Sequence, residues 1–124
     1  MLKTEMKVKF FTKDGELFRE WKGYNARCTF RPPFDIGGML FSGNIVSLSD
    51  EQFYYWENYY SVMVEFFTIV TREEFRLVEP YLAIGTAYKI HMGRKIIGEG
   101  ILTNFHFNDE TDWLMYKRNI NNAD

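Results

Sequence analysis

The chain has 124 residues, enough for one domain, with 46% hydrophobic and 26% charged residues. Its net charge of −2 excludes a whole-molecule field that draws in nucleic acid, although residues 1–31 hold eight Lys/Arg against four Asp/Glu. No apolar run approaches the roughly 18 residues of a membrane span, no basic-then-apolar leader opens the chain, and the lone cysteine points to a reducing, cytoplasmic setting.

In chain order, Met6, Val8 and Phe10 alternate with Lys7, Lys9 and Phe11, the two-residue period of a half-buried strand. Asp14 and Gly15 form a turn signal. A second strand is expected at about 24–31, with Ala26, Cys28 and Phe30 inward and Arg27, Thr29 and Arg31 outward. Pro32 and Pro33 should end it, since neither can donate to a ladder. Asp35 to Gly38 reads as a glycine turn and Met39–Val46 as the returning strand. Ser49 and Gln52 resemble a capping box, predicting a short helix near 50–57. Tyr60–Thr68 alternates as a strand, Thr71 to Glu74 is a second helix start limited by Pro80, and Leu82–Met92 and Lys95–Phe105 complete the set. Gly93 supplies the positive φ of a tight hairpin turn. Gly98 and Gly100 share a strand face, where missing side chains permit close approach.

The pattern predicts an all-β fold: a small closed or nearly closed antiparallel β-barrel of about six strands with one or two short helical turns. The barrel should occupy 1–105, followed by a polar tail at 106–124 whose Trp113 to Tyr116 packs back.

Four blocks in order carry a resemblance. Tyr88 and Ile90, the Gly93-Arg94-Lys95 turn, then Ile97, Gly98 and Gly100 look like the closing hairpin of the C-terminal β-barrel domain of translation elongation factor Tu. Lys3 to Gly15 resembles that domain's first strand and Lys-Asp turn. Trp21 to Tyr24 with Phe30 and Arg31 is similar to its Lys-Gly-Tyr segment, and Phe41 to Ile45 to its next strand. The same blocks also resemble small stand-alone bacterial proteins built as this one barrel. The resemblance implies a barrel without GTPase activity, which in the elongation factor resides in another domain. It keeps residues that shape the backbone and alters polar ones used in tRNA contact, Asn25 to Cys28 among them.

No phosphate-binding glycine loop is present, so no nucleotide and no cofactor are expected. His91, and His106 with Asp109, Glu110 and Asp112, are candidates for catalysis or metal binding, but their spacing matches no compact ligand loop. Cys28 reads as a core residue rather than a nucleophile. The expected activity is therefore non-enzymatic. Six aromatics, Phe53, Tyr54, Tyr55, Trp56, Tyr59 and Tyr60, crowd eight positions. Phe53, Tyr55, Trp56 and Tyr59 are the candidate anchors for a protein partner, in a mimic, a regulator or a toxin-neutralising, immunity-type protein. The alternative is RNA or ribonucleoprotein binding through Lys7, Lys9, Arg27, Arg31, Lys89, Arg94 and Lys95. The bland reading of those lysines and arginines is protection of exposed strands against aggregation.

Overall fold

Alternation along the first strand, β1 (Leu2–Phe10), is complete in the computed structural model, which describes residues 1–13, 22–26 and 31–109. Leu2, Thr4, Met6, Val8 and Phe10 are buried, while Lys3, Glu5 and Lys7 face solvent. β1 is flanked by β7 (Tyr59–Phe66) and β9 (Lys95–Phe107), both antiparallel. Outside these lie β8 (Ala87–Met92), β3 (Pro33–Ile36) and β4 (Met39–Ser42) on one side and β5 (Asn44–Ser47) on the other. The sheet order is β4-β3-β8-β9-β1-β7-β5. A small second sheet pairs β2 (Gly23–Asn25) with β6 (Phe53–Tyr55).

The two outermost strands of the large sheet, β4 and β5, are consecutive in the chain and separated by Gly43 alone. One residue cannot cross a flat seven-stranded sheet whose strands lie about 4.8 Å apart. The sheet therefore curls until its two edge strands come together at Gly43 without pairing to each other, and the fold is all-β with a nearly closed barrel. The stretch expected as a single strand at Met39–Val46 is split at this corner, its first part pairing with β3 and its second with β7. Gly43 is needed there, because an added Cβ would lie 2.5 Å from Val64 Cγ1 and 2.8 Å from Phe34 Cε2.

Pro33 does not end a strand; it opens β3. First position is where a missing N–H costs least, and the carbonyl of Pro32 still accepts from Gly43 N at 3.0 Å. Gly37 and Gly38 then turn the hairpin with φ of 63° and 86°, the left-handed pair of a two-residue turn.

The helix expected near 50–57 is absent. Phe53–Tyr55 instead forms strand β6 against Gly23–Asn25, and Ser49 and Glu51 meet through their side chains at 3.5 Å. The second helix start holds. Thr71 caps α1 (Arg72–Val78), its hydroxyl accepting from Glu74 N at 3.3 Å while Glu74 accepts from Thr71 N at 2.9 Å. Pro80 falls in the 3-10 turn Glu79–Tyr81 that follows. Phe75 stacks on Phe107 at 4.3 Å, and Val78 and Ile69 are buried, closing the barrel at the Leu2 end. Of the strand expected at 24–31, Tyr24 and Asn25 belong to β2 and Ala26 lies in a turn, while residues 27–30 with Cys28, the Asp14-Gly15 turn and Trp113 to Tyr116 lie outside the described residues.

Candidate functional site

The opposite end of the barrel, at Phe10, is closed by aromatic rings. β6 alternates, so Tyr54 turns inward to 2% exposure while Phe53 and Tyr55 turn out, their rings 5.0 Å apart. Tyr54 lies 5.7 Å from Phe10 and 5.2 Å from Tyr60. Tyr24 meets Phe10 edge-on at 5.1 Å, and Trp56 meets Tyr24 edge-on at 4.8 Å. Centroid separations of about 4.5–7 Å in tilted or T-shaped arrangements are favourable for aromatic quadrupoles. Burial pushes the Tyr54 phenol above its ordinary pKa, against the Ser47 hydroxyl, which pulls it down.

The chain leaves this plug through a strained turn. Glu57 adopts a φ of 65°, uncommon for a non-glycine residue. Its backbone N–H donates to the Phe10 carbonyl at 2.7 Å, and its carboxylate accepts from Thr12 N at 2.9 Å. These bonds tie β6 to the end of β1 and hold the conformation. Beyond the turn Tyr59 stands on the outer face of β7, 46% exposed, and Tyr55 on the near side is 51% exposed. The six clustered aromatics thus divide. Tyr54, Trp56 and Tyr60 build the plug, with the Tyr60 hydroxyl accepting from Tyr55 N at 3.0 Å. Phe53, Tyr55 and Tyr59 face outward. Trp56, expected as an anchor, is half-buried against the core.

Tyr59 also belongs to a polar network. Its hydroxyl donates to Glu99 Oε1 at 2.6 Å, and Lys9 Nζ lies 3.7 Å from the same oxygen and 4.8 Å from the Tyr59 ring centre. Partial desolvation lowers the Lys9 pKa, but the Tyr59 phenol, Glu99 and Glu57 outweigh it, so the ammonium is held above its ordinary value.

The register shows what becomes of the basic residues. Lys7 and Lys9 on β1 and Lys89 on β8 share the outer face of the large sheet. Tyr59 opposes Lys9, Lys9 opposes Glu99, and Glu99 opposes Lys89, so cations and carboxylate alternate along the row. Lys3 and Glu65 oppose each other in the same way, 3.9 Å apart. Arg94 and Lys95 are exposed at the β8–β9 turn. Arg31, beside Pro32, lies 5.0 Å over the Phe67 ring, and Arg27 is outside the described residues. Three of the seven candidates thus share one face, and it carries both signs of charge.

The histidines are not brought together. His91 opposes Ile96, ten residues along β9 from His106, a separation of roughly 30 Å at strand rise. His91 Nε2 is sealed without a hydrogen-bond partner, and His106 Nε2 lies 3.1 Å from Asn108 Oδ1. Asp109 meets Arg72 at 3.8 Å, while Glu110 and Asp112 are outside the described residues. Among the described residues no group of three or more His, Cys, Asp or Glu side chains could hold a metal ion. Sequence reasoning missed a groove of about 380 Å³ between Phe11 and the β8–β9 turn, lined by Met92, Lys95 and Ile96. Met92 and Ile96, on either side of the Gly93–Lys95 turn, are both exposed there.

Fold and surface together define a small all-β, barrel-like domain with an aromatic-plugged end and outward tyrosines beside it. The chain matches no family model and no curated protein. Among the described residues no helix is long and apolar enough to cross a membrane.

Proposed function

We propose that this domain is a non-catalytic protein-binding module of the elongation-factor-Tu C-terminal type, working in the cytoplasm as a mimic, regulator or immunity-type protein. Its contact surface is the aromatic face beside the Phe10 end: Tyr55 and Tyr59 as anchors, Phe53 beneath Tyr55, and Trp56 holding the turn between them. The observation carrying this reading is the exposure of about half of both tyrosines on an otherwise well-packed end. Tyrosine gives a partner large apolar area at low entropic cost and keeps a polar tip for hydrogen bonding. The Gly98 and Gly100 spacing that carries the family resemblance serves close strand approach here, with Gly98 against Lys9 O and Gly100 against Met6 Sδ.

The test is capture from lysate by the wild-type chain and by Tyr55→Ala and Tyr59→Ala, with elongation factor Tu added as competitor. A partner lost in both variants at unchanged melting temperature, and displaced by the factor, supports the reading. Capture that survives both substitutions refutes the site. RNA binding is the second reading, favoured by the exposure of Lys7, Lys89, Arg94 and Lys95. It would show as steeply salt-dependent retention of RNA, reduced in Lys7→Ala and Lys89→Ala.

A further inference from the structure

From Ile36 through Ser49 the chain carries no Asp, Glu, Lys or Arg. This run contains both outermost strands of the large sheet. Exposed edges are ordinarily guarded by charge, proline or a covering element, because their free backbone groups template further pairing. Among the described residues none of these guards is present at β4. Leu40 is 55% and Met39 36% exposed, Ser42 is exposed, and among the described residues only β3 pairs with β4.

The hydrogen-bonding phase of this edge follows from the hairpin. A two-residue turn makes Ile36 and Met39 a bonded pair, the next bonded pair is Phe34 with Phe41, and the bond from Gly43 N to Pro32 O continues the series. Leu40 and Ser42 occupy the intervening positions, so their N–H and C=O groups point away from β3, along the open edge. An antiparallel strand added there has two donors and two acceptors to meet.

We propose that this edge pairs with β4 of a second copy of the chain, antiparallel, about a two-fold axis at Phe41. Leu40 then exchanges both backbone bonds with Ser42 of the other copy, and the symmetric pair does the same, giving four bonds. Phe41 faces Phe41 across a non-bonded pair, the position where cross-strand side chains come closest. The segment is its own complement: Phe41 on the axis meets Phe41, Leu40 meets Ser42, every outward donor faces an outward acceptor, and no like charges are set together because residues 36–49 carry none. The contact is short, so the dimer is weak and concentration-dependent.

The test is sedimentation of the full chain from about 10 µM to about 1 mM, with amide exchange followed residue by residue. Dimerisation is expected, with the Leu40 and Ser42 amides slowing as concentration rises while those of Met39 and Phe41 stay slow throughout. Ser42→Pro removes one outward donor from each copy and none from the β3 ladder, and should weaken association about tenfold or more. Ser42→Lys sets two cations across the axis and should do the same, which decides the matter if the proline variant does not fold. Tyr55→Ala should leave the dimer intact, separating this edge from the aromatic face. A monomer over the whole range, a dimer surviving both Ser42 substitutions, or protection developing away from β4 would overturn the proposal.

Discussion

Gly98 and Gly100 lie two residues apart on the same face of β9, yet alanine should be tolerated very differently at the two. A Cβ at Gly98 would sit 2.4 Å from the carbonyl oxygen of Lys9 and 3.2 Å from Phe10 Cα. Both are backbone atoms of β1, so relief requires β1 and β9 to part where Phe10 opposes Gly98. At Gly100 the nearest atom is Met6 Sδ at 2.8 Å, the flexible part of a thioether side chain, and the next neighbours lie at 3.4 Å or beyond. Overpacking a core costs about 1–3 kcal/mol, while replacing glycine in a strand returns roughly 0.5–1 kcal/mol of backbone entropy. Gly100→Ala should therefore cost about 1 kcal/mol or less once Met6 changes rotamer. Gly98→Ala should reach about 3 kcal/mol, since the bonds of the ladder must stretch as well. In a domain of this size the difference corresponds to roughly 5–12 °C in melting temperature, readable by circular dichroism and urea titration of both variants. Equal losses, or a larger loss at Gly100, would refute the assignment of Gly98 to a backbone contact.

Trp56→Ala should remove part of the end plug and destabilise by about 2–4 kcal/mol in urea titration, with the near-ultraviolet signal of the aromatic cluster collapsing as well. Thr71→Ala should cost about 1 kcal/mol through loss of the α1 cap, measured in the same way. Hydrogen bonds from the Thr71 backbone, opposed by partial desolvation, hold the Glu74 carboxyl below its ordinary 4.5. A lowered folded-state pKa gives stability that is present above 4.5 and lost as pH falls through the folded value, so Glu74→Gln should flatten the acid limb of a stability-against-pH curve. Burial raises the Tyr54 and Tyr88 phenols, so their contribution is complete below pH 10 and lost as pH rises through their folded values. Phenolate absorbance should show late-titrating tyrosines that Tyr54→Phe and Tyr88→Phe remove; unchanged titration in both would contradict their burial.

Where local chemistry settles an element, the sequence was enough to find it. The alternation of Leu2 to Phe10 and the reciprocal bonds of Thr71 and Glu74 need no distant partner. The resemblance of Ser49 to Gln52 to a capping box failed for the converse reason. Phe53, Tyr54 and Tyr55 favour a strand, and Gly23 to Asn25 offers one to pair with, so tertiary pairing outweighed a weak local signal. At Gly43 the sequence showed a glycine in a strand but not that opposite edges of one sheet meet there. The candidate site was legible only as composition. Which tyrosines face water depends on the strand phase of β6, set by Gly23–Asn25. The bond from Tyr59 to Glu99 joins residues 40 positions apart, and nothing in the sequence around either residue announces it.

The placement of β1 inside the sheet, between β9 and β7, also sets the timetable of folding. Leu2 opposes Phe66 on one side and Phe107 on the other, so the first described strand waits for the last described strand before its ladder is complete. Pairings of such sequence separation carry a large loop-closure cost and slow the search for the native state. During translation, the β1 edge that will receive β9 cannot complete its ladder until residue 107 has left the ribosome. Alternating Lys3, Glu5, Lys7 and Lys9 along that strand supplies the charge that discourages misplaced pairing during the wait.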